Sequence, residues 1–156
     1  MSNDNRDTAG VIAPPPLIYL GSLILGLLLN RKFPAPLLPR GVARIFGGTF
    51  LSGGVLLVGW FIRTMRSAGT PVSTREPVSN LVTTGPFRYT RNPGYLGLAM
   101  IYSGISFLAN TRWAVLFLPA TLLVIQRGVI EREEQYLERK FGEEYLRYKE
   151  QVRRWI

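Results

Sequence analysis

The sequence predicts an all-α fold, a polytopic membrane bundle of about four transmembrane helices followed by amphipathic helices. Uncharged apolar runs cover residues 11–30, 45–62, 92–111 and 113–126, and the charged residues lie in the segments around them. The first three runs are each about 18 to 20 residues long, which is enough for a helix to cross a bilayer. The fourth has about 14 and needs Arg127 to extend towards the headgroups.

Charge supports a membrane setting. The chain has 19 Lys and Arg against 10 Asp and Glu. Because the basic residues flank apolar runs and do not form one soluble basic face, we expect anionic membrane lipids as partners and no nucleic acid.

The chain contains neither Cys nor His. This excludes disulfides, thiol nucleophiles, Ser-His pairs and the ordinary zinc sites, so we expect no metal. Chemistry must use Arg, Glu, Tyr, Asn and backbone groups, which favours positioning a reactive cosubstrate over covalent catalysis.

The first helix is expected after an N-terminal tail at residues 1–16. Charges at Asp4, Arg6 and Asp7 do not fit a signal peptide, so the first apolar run is expected to be retained. The run of prolines at residues 14–16 should delay the helix to about Leu17, and its firm part should be residues 17–29.

The second helix is predicted over residues 43–62 and is rich in glycine. Gly47, Gly48, Gly53, Gly54 and Gly59 would weaken a helix in water, but small residues let helices approach closely in a membrane. A nucleotide-binding loop is disfavoured because no Gly-x-Gly-x-x-Gly motif follows a strand.

A polar, turn-rich segment at residues 63–80 is predicted to lie over the membrane surface, either as part of a ligand lid or as a plain connector. A third helix should then run over residues 93–108, with Asn92 as its N-cap and Pro93 as its first residue. Arg91 and the free N–H groups at this helix start suit an anionic ligand. The alternative is that the arginines here anchor the helix at the headgroups.

The fourth helix should return antiparallel after a tight turn at residues 110–112, with a kink at Pro119. On a four-span layout, the tail, the central loop and the C-terminal segment carry 1, 5 and 8 Lys or Arg, 14 in all, against 5 on the other side. The excess of positive charge predicts that both termini are cytoplasmic.

The charged C-terminal segment should begin as a continuation of the fourth helix. Arg127, Glu131 and Glu134 are spaced i, i+4 and i+7, which predicts that they share one side of it. Gly142 is expected to end this helix, and a second short amphipathic helix should follow, with aromatic residues towards the membrane surface. A solvated face of ion pairs is the alternative interpretation of these acids, and we adopt it for Glu138, Glu143, Glu144 and Glu150.

Two separated motifs carry a family resemblance: LVTTGPFRYTRNPGYLG at residues 81–97 and RGVIEREEQYLERKFGEEYLRY at residues 127–148. Together they resemble the isoprenylcysteine carboxyl methyltransferase and phospholipid methyltransferase superfamily of integral membrane enzymes. In that family, S-adenosylmethionine binds at the cytosolic side, between a helix that starts at Arg-(His/Asn)-Pro-x-Tyr and a Glu-bearing helix. The resemblance implies one membrane methyltransferase domain over residues 17–156, whose cofactor-binding half is residues 79–156.

The resemblance also implies site residues. Cofactor contacts match Ser79, Asn80, Leu81, Val82, Phe87, Asn92, Pro93, Gly94, Tyr95 and Glu131, and Glu133 and Glu134 match the paired acids of the phospholipid branch. Arg127 matches an arginine that faces the methyl acceptor. Three positions depart from the pattern: Asn92 replaces a His of the prenyl-cysteine branch, Gly94 replaces a bulkier residue, and Phe87 lacks a Tyr hydroxyl.

The chemistry of S-adenosylmethionine agrees with these residues. Glu131 or Glu134 suits its ammonium or ribose, Arg91 and helix N–H groups suit its carboxylate, and an aromatic ring of Phe87, Tyr89 or Tyr95 suits its adenine.

We therefore expect methyl transfer to a lipophilic acceptor at the cytosolic face of the membrane. The acceptor is a prenyl-cysteine-like carboxylate, a phospholipid amine, or a small apolar thiol or acid. Two alternatives are a non-catalytic membrane scaffold and a small transporter that uses Arg127 and Glu131 as intramembrane charges.

Overall fold

The computed structural model of the chain describes residues 8–73 and 76–156, and the predicted tail at residues 1–7 lies outside this part. Every regular element in the described ranges is helical, as predicted, and none of them is a strand. The elements are α1 (Pro15–Lys32), α2 (Arg40–Ser67), a 3₁₀ turn (Gly85–Arg88), α3 (Pro93–Leu108), α4 (Arg112–Ile125), a π turn (Gln126–Ile130), α5 (Glu131–Phe141) and α6 (Glu143–Gln151).

The bounds of α3 are those predicted, whereas α1 and α2 are longer than predicted. Helix α1 begins at Pro15 and not near Leu17, because a proline in the first turn loses no intrahelical hydrogen bond. Helix α2 extends beyond its apolar run at both ends, from Arg40 to Ser67. Charged residues thus continue a helix whose middle is apolar.

Glycines bring α2 and α3 into close contact, as predicted. A Cβ atom at Gly54 would lie 2.8 Å from the Gly97 carbonyl oxygen, and one at Gly104 would lie 2.5 Å from the Leu51 nitrogen. Gly47 and Gly53 also pack on α3, but Gly48 and Gly59 have no neighbour within 4 Å of such an atom.

Helix α1 lies against α3 and α4. A Cβ atom at Gly26 would lie 2.6 Å from the Ala114 Cα. The Tyr102 hydroxyl donates to the Ala114 carbonyl at 2.8 Å, and the Tyr19 hydroxyl donates to the Tyr95 carbonyl at 3.1 Å. Helices α1 and α3 run parallel, because they meet at Tyr19 and Tyr95 near their starts, whereas α2 is antiparallel to α3 and α4 is antiparallel to α1. Helices α1 and α3 therefore begin at the end of the bundle where α2 and α4 end.

Two helices in the described ranges are long and apolar enough to cross a membrane: Arg40–Ser67 and the continuous helix Arg112–Phe141. Helix α3 is apolar but shorter. The count of about four spans therefore stays a prediction. Large apolar side chains are nevertheless exposed on three helices, as is typical of a surface that faces lipid: Leu17, Leu20, Ile24, Leu25 and Leu28 on α1, Ile45, Val55 and Leu56 on α2, and Leu116, Leu123 and Val124 on α4.

A π turn joins α4 to α5 and was not predicted. The Ile12 N–H donates to the Gly128 carbonyl in this turn at 3.3 Å, and the Ile12 side chain fills the space beside Gly128. Gly142 ends α5 with a φ of 52°, which confirms the predicted cap, and the predicted second short helix follows as α6, with Tyr145 and Tyr148 buried against the rest of the chain.

Candidate functional site

The two sequence motifs meet at a cavity of about 530 Å³ at the end of the bundle where α3 begins. The start of α1, the last turns of α2, loop residues within 70–73 and 76–82, and parts of α5 and α6 complete its lining. The polar wall contains Arg91, Asn92, Tyr95, Glu133, Glu134, Tyr136, Tyr145 and Tyr148.

Asn92 occupies the predicted N-cap position of α3, but its side chain has a different role. The side-chain amide donates to the Arg154 carbonyl at 2.9 Å, and no side chain caps the helix. This corrects the predicted capping bond: Asn92 ties α3 to the segment after α6, and the N–H groups of the first turn have no side-chain partner.

Arg91 is almost buried, with 9% of its side chain exposed, and it lines the cavity. Its Nη2 lies 3.3 Å from Oε1 of Glu134, whereas its Nε and Nη1 are buried and have no hydrogen-bond partner in the described part of the chain. Buried donors of this kind carry an energetic cost unless a ligand satisfies them.

Glu134 is the most buried acid of the site and has a second arginine partner. Arg154 donates from Nε to Oε1 at 3.0 Å and from Nη2 to Oε2 at 2.7 Å. This two-pronged geometry is the strong form of an arginine–carboxylate pair.

Glu133 also lines the cavity, and its Oε1 accepts a hydrogen bond of 2.7 Å from the Tyr95 hydroxyl. A carboxylate accepts more than one hydrogen bond, so Glu133 has capacity for a donor on a ligand.

Aromatic rings form another wall. Phe87 lies 5.8 Å from Phe61 between ring centroids, and Tyr145 lies 6.2 Å from Tyr148. Burial raises the pKa of Tyr145 and of Tyr148, so both phenols keep their protons at neutral pH. A Cβ atom at Gly94 would lie 3.0 Å from the Phe61 ring, so glycine at this position makes room for that ring.

The cavity brings together most of the predicted cofactor residues. Those that line it are Asn80, Leu81, Val82, Phe87, Arg91, Asn92, Pro93, Gly94, Tyr95, Glu133 and Glu134. Three predicted site residues do not line it: Ser79 is exposed, Glu131 is half-buried and lies 3.7 Å from Arg154, and Arg127 is exposed.

The expectation that Arg127, Glu131 and Glu134 share one side of a helix is confirmed for the two acids but is wrong for Arg127. Both acids pair with Arg154. The spacing assumes an uninterrupted α-helix, but residues 126–130 form a π turn, whose i to i+5 bonds enclose one residue more than an α turn. The turn therefore changes which residues face the same way, and Arg127 is exposed while Glu134 is buried.

Several residues of the site were not predicted to belong to it. Phe61, Tyr136 and Arg154 carried no signal in the sequence, because their roles depend on contacts with distant residues. The aromatic residues of the second C-terminal helix were predicted to face the membrane surface, and this is wrong for Tyr145 and Tyr148, which are buried and line the cavity.

Comparison with known proteins gives three findings. The model of a family described as phospholipid methyltransferase matches residues 42–144, which include Glu133, Glu134 and the start of α3. An uncharacterized protein of Haemophilus influenzae is 45% identical to the chain over 62 residues, which are 40% of this chain and 98% of that protein. No solved structure matches the chain.

Proposed function

Because the chain belongs to the phospholipid methyltransferase family, we propose that it transfers a methyl group from S-adenosylmethionine to a lipophilic acceptor at the membrane surface. Family membership supports methyl transfer to a lipid-like molecule. The observation that carries the finer proposal is the shared cavity, where Arg91 and the start of α3 face the same space as Glu133.

The donor groups of the cavity suit S-adenosylmethionine. A carboxylate oxygen would accept from Nε or Nη1 of Arg91 and from the N–H groups of the first turn of α3. Glu133 would accept from the ammonium or a ribose hydroxyl, and the same carboxylate favours a cation nearby. The rings of Phe87 and Tyr145 offer faces to the adenine.

When bound, S-adenosylmethionine supplies a methyl group that is already activated by its positive sulfur. The residues of the cavity therefore need only to hold the ligand, align the acceptor and keep water out. Loop residues within 70–73 and 76–82 line the cavity, which supports the last of these roles.

The acceptor is proposed to lie along the apolar part of the cavity. Val58, Ile62 and Met65 of α2 and Leu98 of α3 line this part, and Pro16 at the start of α1 also lines the cavity. A prenyl-cysteine-like carboxylate, a phospholipid amine and a small apolar thiol or acid all have an apolar portion that would contact this wall.

Arg127 and Glu131 keep their predicted roles as proposals that rest on the resemblance. Arg127 is exposed beside the apolar part of α4, where it would meet a phosphate or carboxylate of an acceptor at the membrane surface. Glu131 would act on the cofactor through Arg154, its partner at 3.7 Å.

We also propose four spans, with both termini in the cytoplasm and the cavity at the cytoplasmic end. The positive charge of the flanking segments supports this orientation. The proposed domain is residues 17–156, with its cofactor-binding half at residues 79–156.

The proposal is tested by calorimetry of the purified chain in detergent with S-adenosylmethionine. The wild type should bind, and Arg91→Ala and Glu133→Gln should each lose roughly 10- to 100-fold in affinity, the range for a charge-assisted hydrogen bond. Glu150→Gln removes an exposed carboxylate and should bind like the wild type. Equal affinity in all four proteins would show that S-adenosylmethionine does not bind at Arg91 and Glu133.

A second measurement concerns the acceptor. Incubation with methyl-labelled S-adenosylmethionine and a lipid extract should label a lipid-soluble product, and Arg127→Ala should bind cofactor normally but form less product. A scaffold or a transporter would form none.

A further inference from the structure

The backbone of the segment that follows α6 accepts hydrogen bonds from residues at the N-terminal end of α3. The Arg153 carbonyl accepts a hydrogen bond from the Arg91 N–H at 3.0 Å. The Arg154 carbonyl accepts from the Thr90 hydroxyl at 3.1 Å and from the Asn92 side-chain amide at 2.9 Å. Two consecutive carbonyls thus hold three consecutive residues.

The Arg154 side chain reaches the same place from the other direction. Its guanidinium donates hydrogen bonds to both carboxylate oxygens of Glu134, and Oε1 of Glu134 is also 3.3 Å from Nη2 of Arg91. Glu134 therefore bridges two guanidinium groups, one that lines the cavity and one that does not. A single carboxylate in this position sets how the two arginines lie.

This arrangement determines which donors of Arg91 remain available. Nη2 is directed to Glu134, while Nε and Nη1 are buried and have no hydrogen-bond partner within residues 8–73 and 76–156, although the Tyr145 hydroxyl also interacts with the Arg91 side chain. An arginine with 9% of its side chain exposed cannot satisfy these donors with bulk water. They suit anionic oxygen atoms, because a guanidinium N–H forms a strong, charge-assisted hydrogen bond to such an oxygen.

Building on the proposed function, we infer that Arg154 is a positioning residue for the cofactor. Through Glu134 it holds the Arg91 guanidinium. Through its carbonyl it holds Thr90 and Asn92, on either side of Arg91. The Nε and Nη1 of Arg91 are thereby left to donate to an oxygen of the S-adenosylmethionine carboxylate. Arg154 lies outside residues 42–144, the part of the chain that the family model matches, so family membership gives it no role.

The test compares S-adenosylmethionine with its decarboxylated analogue, by calorimetry on the full chain in detergent. Arg154→Ala should lower the affinity for S-adenosylmethionine roughly 10- to 100-fold, because the loss is that of a charge-assisted hydrogen bond. It should change the affinity for the analogue less than about twofold, because the analogue has no group for Arg91 to hold. In an Arg91→Ala background, Arg154→Ala should have no further effect.

Two control variants complete the test. Arg153→Ala removes an exposed side chain but keeps its carbonyl, so both affinities should stay as in the wild type. Arg154→Lys keeps the charge but not the two-pronged contact, so it should lose part of the affinity for S-adenosylmethionine only. If Arg154→Ala does not fold, the ratio of the two affinities in Arg154→Lys tests the inference. A selective loss for S-adenosylmethionine supports it, and an unchanged ratio overturns it.

Unchanged affinity for S-adenosylmethionine in Arg154→Ala would overturn the inference, and so would equal losses for both ligands, which would show that Arg154 only stabilises the fold. A wild-type chain that binds neither ligand would instead overturn the proposed function, and the inference with it.

Discussion

The Tyr95 hydroxyl donates a hydrogen bond of 2.7 Å to Oε1 of Glu133, and this bond joins the first turn of α3 to the first turn of α5. The residues are 38 positions apart, on either side of a helical hairpin. The proposed site therefore depends on how α3 and the long C-terminal helix pack, and not on either motif alone.

Removing this hydroxyl should weaken cofactor binding. Tyr95→Phe leaves the ring but releases Glu133, so we expect a loss of roughly 2- to 10-fold in affinity for S-adenosylmethionine, the usual range for one hydrogen bond. Tyr89→Phe changes a residue that is 70% exposed and should bind normally. Calorimetry of both variants checks this, and equal affinities would mean that the bond has no part in the site.

The buried and the exposed ion pairs should differ in their contribution to stability. Glu134→Gln leaves two arginines without their common carboxylate and should cost about 3 kcal/mol of unfolding free energy. Glu138→Gln breaks the pair with Lys149, whose members are about one third exposed, and should cost less than about 1 kcal/mol. Thermal unfolding in detergent measures both, and similar losses would contradict the prediction.

The close approach of α2 and α3 predicts a contrast between two glycines of α2. Gly54→Ala would bring a Cβ to 2.8 Å from the Gly97 carbonyl and should destabilise the chain by about 1–3 kcal/mol. Gly59→Ala meets nothing within 4 Å and should be neutral or stabilise by up to about 1 kcal/mol, because alanine favours a helix. A destabilised Gly59→Ala with a normal Gly54→Ala would refute this helix contact.

Two glycines with positive φ should also differ. Gly142→Ala, at a φ of 52° in open space, should cost about 1–2 kcal/mol through backbone strain alone. Gly85→Ala, at a φ of 59°, adds a Cβ only 2.6 Å from the Thr64 hydroxyl oxygen, so its unfolding midpoint should fall further. If both variants melt at the same temperature, the contact with Thr64 is not tight.

The proposed orientation can be read from thiol labelling, since the chain contains no cysteine. A membrane-impermeant thiol reagent added to inverted vesicles should label Glu144→Cys on α6 but not Pro36→Cys, which lies between α1 and α2. Right-side-out vesicles should give the reverse pattern. Labelling of both positions from one side would exclude the four-span layout.

Local signals were sufficient for much of the fold. Proline at the first helical position is a signal that lies within one turn of the helix, so Pro93 predicts where α3 begins. Gly142 is a local signal of the same kind, and it predicts where α5 ends and α6 begins. The apolar runs predicted an all-helical chain, and the glycines of α2 predicted close helix contacts. The two motifs of the site were likewise visible without coordinates.

The alternation of apolar runs with basic segments, the absence of Cys and His and the spacing of the motifs were determined by the sequence itself. Which side chains face the cavity was decided only by the tertiary structure. The π turn moves Arg127 away from Glu134, the Asn92 amide leaves its own helix to bind the Arg154 carbonyl, and Arg154 joins Arg91 through Glu134. Periodicity assumes a constant number of residues per turn and describes one helix at a time. A π turn breaks the first assumption, and hydrogen bonds between residues far apart in the chain go beyond the second.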